Sequence, residues 1–208
     1  FISHDIRVPL ASAVAQIKSE LGEHHPAHKQ MVRALAWTED FLQTSRAQML
    51  RADGFTELDL IALLHEVADD IYPLTVVNAL TLVLDLPDEP VWIQGNFGTL
   101  SRAIANLLSN ALKFSPPGGA IRLSAKLQAN QVHIGITDQG PGIDPQDIER
   151  LFKRFSRLEP GTSSLQAGVG LGLYFVQTTV LKHGGTVTVV SRQGETTFIL
   201  IFDNIINL

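Results

Sequence analysis

Apolar residues in the first fifty positions recur at helical spacing. Ile6, Leu10, Val14, Ile17 and Leu21 follow one another at intervals of four, four, three and four, and Gly22 and Pro26 then punctuate a turn. Met31, Leu35, Thr38, Leu42, Ser45 and Met49 alternate four and three, the seam of a coiled coil with two polar lapses. Neither helix can bury its stripe alone. An antiparallel hairpin this short leaves apolar surface uncovered, and pairing with a second copy into a four-helix bundle would cover it, so a homodimer is expected. Ala52-Asp53-Gly54 ends the pattern. It separates a hairpin over residues 1–53 from a larger domain over 55–208 and is the expected hinge.

From Phe55 the period changes. Residues 55 to 59 read as a short strand, 60 to about 72 as a helix, Leu80 to Leu84 as a strand and Val91-Trp92-Ile93 as another. A helix from about 97 to 113 precedes two alternating strands, Ile121/Leu123/Ala125/Leu127 and Val132/Ile134/Ile136. A loop-rich stretch then runs to Gly168. A helix over about 171 to 183 and a hairpin of Thr186 to Val190 with Thr196 to Phe202 close the chain. Strands with hairpin-like neighbours mixed with helices predict an α+β class, an α/β sandwich with one mixed sheet and helices on one face.

Composition narrows the function classes. A net charge of −5 with 16 dispersed basic residues offers no cationic stripe, so nucleic acid is set aside. Without cysteine there is neither a disulfide framework nor a thiolate metal site, which fits a reducing compartment. No apolar run reaches the roughly 18 residues of a membrane span, and a soluble, cytoplasmic chain is expected. Phe1 falls inside a helix already under way, which suggests an input region upstream.

Three segments carry polar residues where the fold does not require them. Winding Asn106-Leu107-Leu108-Ser109-Asn110-Ala111-Leu112-Lys113 at about 100° per residue gathers Asn106, Asn110 and Lys113 into one sector with Arg102, opposite Ile104, Leu107, Leu108 and Ala111. Carboxamides offer oxygen to a hard cation such as Mg2+ and N–H groups to phosphate, and lysine adds a point charge. The plainer alternative is a solvated helix face. In the strand ending at Asp138, the period of two puts its carboxylate on the face of Val132, Ile134 and Ile136, where an adenine amine would be a fitting donor. The turn Gln139-Gly140-Pro141-Gly142 leaves room for a flat base, although an Asp-initiated turn is common. Gly168-Val169-Gly170-Leu171-Gly172 precedes an apolar helix and allows close approach of phosphate to backbone N–H groups. No strand leads into it, so it is not a dinucleotide fingerprint.

Near the start, His4 lies about 120° from the Leu10 seam on an exposed flank. Asp5 can accept the proton of one ring nitrogen while the other attacks phosphorus, and Pro9 removes the helical partner of the Asp5 carbonyl. The other histidines, His183 among them, read as solvated or as ordinary helix ends. The stretch from Gly142 to Gly168, with Phe152-Lys153-Arg154-Phe155-Ser156-Arg157, reads as a lid.

Taken in order, these segments resemble the sensor histidine kinases of two-component signalling. Phe1 to Leu10 is similar to their phospho-acceptor box, Asn106 to Pro116 to the Asn box, Asp138 to Gly142 to the first glycine box, Phe152 to Arg157 to the phenylalanine box and Gly168 to Leu173 to the second glycine box. The resemblance implies a phosphotransfer hairpin followed by the Bergerat ATP-binding fold, with ATP and Mg2+ as cofactors. It implies that His4 accepts the γ-phosphoryl group with Asp5 as general base. Asn106 would ligate Mg2+, Asn110 and Lys113 would hold phosphates, and Phe114 would lie against an adenine recognised by Asp138. Gly140, Gly142, Gly168, Gly170 and Gly172 would shape the ATP site, and Arg154 or Arg157 would stabilise the transferring group. The phosphoryl group would pass to an aspartate of a response-regulator receiver domain, with a sensor region upstream that is membrane-attached in some relatives. One departure is Val8, where many relatives carry a hydroxyl or amide that orients a water, and weak or absent phosphatase activity is expected. The competing readings are a gyrase-like ATPase and a non-catalytic dimeric scaffold.

Overall fold

The computed structural model describes residues 2–156, 170–203 and 205–206, with side chains from Val8 onward. Helix α1 spans Ile2–Leu21 and α2 spans Pro26–Met49, packed as an antiparallel hairpin. His25 caps α2, its Nδ1 accepting the Ala27 N–H at 3.2 Å, and Pro26 takes the first helical position, where no N–H is needed. Leu50 leaves the helix in extended conformation, and a single turn of 3₁₀ helix over Ala52–Gly54 joins hairpin to domain.

The larger region contains β1 (Thr56–Asp59), α3 (Leu60–Val77), β2 (Thr81–Asp85), β3 (Trp92–Gly95), α4 (Phe97–Phe114), β4 (Ala120–Gln128), β5 (Gln131–Asp138), the single turn α5 (Pro145–Ile148), α6 (Gly172–Lys182), β6 (Thr186–Arg192), β7 (Glu195–Phe202) and β8 (Ile205–Ile206). Its main sheet has the order β2-β4-β5-β7-β6, parallel between β2 and β4 and antiparallel elsewhere. One face is core: Ile121 and Leu123 of β4, Val132, Ile134 and Ile136 of β5, and Phe198, Leu200 and Phe202 of β7 are buried at every second position. Helices α3, α4 and α6 cover that face. The α+β class and the one-sided helical layer are as the pattern of the sequence predicts.

A second, three-stranded sheet, β1-β3-β8, departs from the single sheet expected. Its strands are too short to announce a separate layer, and β8 contributes two residues. Helix α3 also runs past the expected end near residue 72, through Pro73 to Val77, and the expected loop after Gly142 contains α5.

Local chemistry explains the boundaries that matter for the site. Asn96 starts α4 by accepting the Thr99 N–H at 3.0 Å. Six residues on one face, Leu100, Ala103, Ile104, Leu107, Leu108 and Ala111, are at most 1 % exposed. Each larger one contributes about 1.5–3 kcal/mol by leaving water. The helix stops where Ser115, forced into extended conformation by Pro116, takes ψ 138.

Candidate functional site

Asp138 ends the central strand β5 and is 5 % exposed, on the core face as its register requires. Its Oδ1 accepts the Gly140 N–H at 2.8 Å. Burial pushes its pKa up, and the Gly140 hydrogen bond opposes this. Position 140 has no room for a side chain. A Cβ there would stand 2.7 Å from Asp138 Oδ1 and 3.1 Å from the Phe114 carbonyl oxygen, so the end of α4 and the turn after β5 meet across this glycine.

Gly142 takes φ +86, and a Cβ there would lie 2.5 Å from the Arg192 carbonyl oxygen. The turn is tied to the β6–β7 hairpin by the Ile143 N–H, which donates to Ser191 Oγ at 2.8 Å, and Ser191 in turn bonds Thr196 Oγ1. Gln139 Oε1 accepts the Ala120 N–H and holds the other side of the turn to β4.

On α4, Asn106 and Asn110 are half-buried one turn apart. A Cβ built on Gly172 would be 3.9 Å from Asn106 Cγ, so the start of α6 faces the Asn106 side of α4. Helices α2, α3, α4 and α5 have side-chain caps from His25, Asp59, Asn96 and Asp144, whereas among the described residues none caps α6. Among the described residues its first N–H groups thus have no side-chain acceptor, an arrangement suited to an anionic ligand. Lys113 and Phe114, both exposed, stack with Nζ 4.9 Å from the ring centre.

The segment after α5 is anchored by Leu151, which is buried, and by Phe152, edge-on to Phe198 at 6.5 Å. Phe155 is 60 % exposed and holds φ 59, a conformation costly for a bulky residue. Its N–H donates to the Gly170 carbonyl at 3.0 Å, and Gly170, at φ +78, has the Ser156 carbonyl 2.5 Å from where a Cβ would stand. Arg154 lies over the Tyr174 ring.

The structure thus brings together Asp138, Gly140 and Phe114 on one side, and Asn106 with Gly172 on another. His4 and Asp5 lie on α1, but their side chains are outside the described residues, as are Arg157 and Gly168. Arg102, in the same sector of α4, faces the hairpin: it donates from Nη2 to Asp40 Oδ1 of α2 at 2.9 Å and lies over Phe175 at 5.8 Å. Asp40 has its pKa raised by burial, with Arg102 opposing.

His183 is a correction, because it is 3 % exposed rather than solvated. Its Nε2 accepts the Asn96 N–H at 2.9 Å, its Nδ1 lies 2.7 Å from the Thr179 carbonyl oxygen, and its ring stacks on Phe55 at 4.4 Å. Only a neutral ring with the proton on Nδ1 satisfies both bonds. A histidine followed by two glycines at a helix end carries no signal that distinguishes this role.

Comparison with known proteins supplies the context for this arrangement. Residues 95–205 match the family described as histidine kinase-, DNA gyrase B-, and HSP90-like ATPase, and they are more than half of the 208-residue chain. The sensor histidine kinase RppB of Synechocystis is 29% identical over 93% of this chain and 45% of its own length. The sensor histidine kinase TrcS of Mycobacterium tuberculosis is 32% identical over 94% of this chain and 41% of its own length, so the chain spans less than half of these relatives. Full-length ShkA, crystallised with AMPPNP, superposes with a TM-score of 0.80 over 99% of this chain and 45% of that one at 22% identity, a likeness of fold. The chain belongs to the histidine kinase-, DNA gyrase B- and HSP90-like ATPase family, and its likeness to the sensor histidine kinases extends through the hairpin.

Proposed function

We propose that the chain is the kinase portion of a two-component sensor, divided into a dimerisation and phosphotransfer hairpin over residues 1–53 and an ATP-binding domain over 55–208. His4 attacks the γ-phosphorus of ATP, a nitrogen–phosphorus bond forms, the bond to the bridging oxygen breaks and ADP leaves. Asp5 takes the proton from the other ring nitrogen. The phosphoryl group then passes to an aspartate of a response-regulator receiver domain docked on the hairpin.

The observation that carries this reading is the buried Asp138 carboxylate beside the side-chain-free Gly140, with Phe114 against the same turn. A base seated there would donate its exocyclic amine to Asp138 and lie against Phe114. Asn110, Lys113 and the uncapped start of α6 at Gly170 and Gly172 are suited to the phosphates, with Gly142 and Gly168 shaping the turns and Arg154 or Arg157 neutralising charge in transfer. The donors fit a hard cation held mainly by the nucleotide. Among the described residues no group of three or more acidic, histidine or cysteine side chains could bind one alone, and the Asn106 carboxamide oxygen is a suitable single ligand. Mg2+ so bound neutralises phosphate charge.

Exposed apolar residues on the hairpin, Trp37 and Phe41 among them, support homodimerisation. Among the described residues no helix is long and apolar enough to cross a membrane. In the kinase reading this portion works in the cytoplasm, where a receiver domain would meet it. Val8, 51 % exposed one turn beyond His4, has no polar atom with which to orient a water, and phosphatase activity is accordingly weak in this reading.

Incubation with γ-labelled ATP and Mg2+ should yield acid-labile label on the protein, lost in His4→Gln with nucleotide binding unchanged. Nucleotide binding and hydrolysis without label would favour the gyrase-like ATPase, and no binding would favour a scaffold. A labelled regulator returned to the unlabelled kinase should keep its label; rapid release of phosphate would contradict the role given to Val8.

A further inference from the structure

Arg154 is not free beside the nucleotide site. Its guanidinium carbon stands 4.7 Å from the centre of the Tyr174 ring, where the π face attracts a cation. Tyr174 is the third residue of α6, in the turn that lacks a side-chain cap among the described residues. The phenol oxygen of that ring accepts a 2.8 Å hydrogen bond from Nε2 of Gln48, next to the last residue of α2. Hydrogen bonding from Arg154 is the main influence holding this phenol below its ordinary pKa, with Thr178, the Arg154 charge and Gln48 adding to it and burial opposing.

One tyrosine therefore joins the hairpin, the helix after the second glycine segment and the loop after α5. The place on the hairpin matters. In an antiparallel pair turning between Leu21 and Pro26, His4 comes level with about Gln43. The contact at Gln48 then lies roughly 8 Å along the axis from that level, at 1.5 Å per residue.

We propose that Tyr174 is a positioning residue for phosphoryl transfer. Held by Gln48, its ring fixes Arg154 at the start of α6, so the arginine is ordered for the transferring group while the ATP-binding domain lies against the hairpin. A long cation left free must be ordered during the reaction, whereas one stacked on a held ring beforehand need not be. The proposal rests on the kinase reading given above.

The test uses the full chain, labelled ATP for kcat and KM, and a fluorescent nucleotide for affinity. Gln48→Ala and Tyr174→Phe each remove the hydroxyl link and should lower kcat about three- to tenfold, with KM within about twofold. The double variant should fall no further than the singles, since both cut one link. Tyr174→Leu, without the ring, should fall to the level of Arg154→Ala. In a Tyr72→Phe background Tyr174 is the one remaining tyrosine, and its absorbance titration should move upward in Gln48→Ala and further in Arg154→Ala. Wild-type kcat in the single variants, additive losses in the double variant, or losses confined to KM would overturn the positioning role alone. A wild-type chain that binds nucleotide yet takes no label would remove the kinase reading and this role with it.

Discussion

Along α4, six apolar residues from Leu100 to Ala111 are at most 1 % exposed, whereas along the 24 residues of α2 only Thr44 and Ala47 are buried. Both helices carry apolar stripes, and the difference lies in what each has to pack against. Helix α4 has a sheet beneath it and neighbours in α3 and α6. Helix α2 has α1 on one side and meets the domain at its C-terminal half, through α6 around Gln48 and through Asp40 with Arg102 of α4, leaving Val32 at 43 %, Trp37 at 45 % and Phe41 at 57 % exposure. The ATP-binding region supplies nearly all of its own core, to which the hairpin adds Ala47 at the end of α2, and can hold a site rigidly. The hairpin keeps apolar surface exposed, which the proposed homodimer would cover with a second hairpin.

The sharpest way to break this contrast is to remove equivalent apolar bulk from each side. Leu107→Ala should lower the unfolding free energy of the ATP-binding region by about 2–5 kcal/mol, because a fully buried leucine leaves a cavity. Phe41→Ala should leave that transition unchanged in denaturant melts and instead raise the concentration at which sedimentation detects a dimer. Equal losses of stability in the two variants would mean that the hairpin and domain share one core.

A smaller effect is expected at the site. Asp138→Asn keeps an oxygen for the Gly140 N–H but exchanges the carboxylate for a neutral amide. Nucleotide affinity should fall roughly tenfold to 150-fold, the equivalent of about 1.5–3 kcal/mol for a hydrogen bond to a charged group. Calorimetric titration with the nucleotide would measure it. Because burial raises the Asp138 pKa above 3.8, the folded state binds the extra proton between 3.8 and that higher value. Its contribution to stability is therefore greatest at low pH and is lost as pH rises through the folded value, so Asp138→Asn should be no less stable than wild type near neutrality. Nucleotide binding runs the other way and should weaken as acid protonates the carboxylate.

How legible this was in the sequence differed between the two regions for the same reason. Period-two and helical patterns marked α4, β4, β5 and β7 because their burial is decided within the chain. The positions of Asp138, Gly140 and the Asn106 face followed from register and winding alone. Contacts between hairpin and domain were not legible, since Asp40 with Arg102 and Gln48 with Tyr174 join residues 62 and 126 positions apart. Winding α4 gave the sector that Arg102 shares with Asn106, Asn110 and Lys113, and its pairing with Asp40 of α2 could not be read from winding. The three-stranded sheet escaped notice because strands of four, four and two residues carry too few alternations to register as a period.

The smallest expected effect sits at the seam of the comparison. Phe55, six residues beyond Met49 at the end of α2, stacks on His183, which also holds the N–H of the α4 cap residue and a carbonyl of α6. Burial, opposed by the Thr179 hydrogen bond, lowers the pKa of His183 below 6.5. Unfolded chains therefore take up this proton at a pH where the folded chain does not, and stability contributed by the neutral ring is complete above 6.5 and falls as pH drops from there through the lowered value. The slope cannot exceed about 1.4 kcal/mol per pH unit for one proton. Protonation would direct a second N–H at the Asn96 N–H and release Phe55, loosening the junction of hairpin and domain. Denaturant melts of wild type and His183→Gln between pH 7 and about 5 should differ in slope by up to this amount, with wild type the steeper. Parallel slopes would mean that the two regions are joined without the buried imidazole.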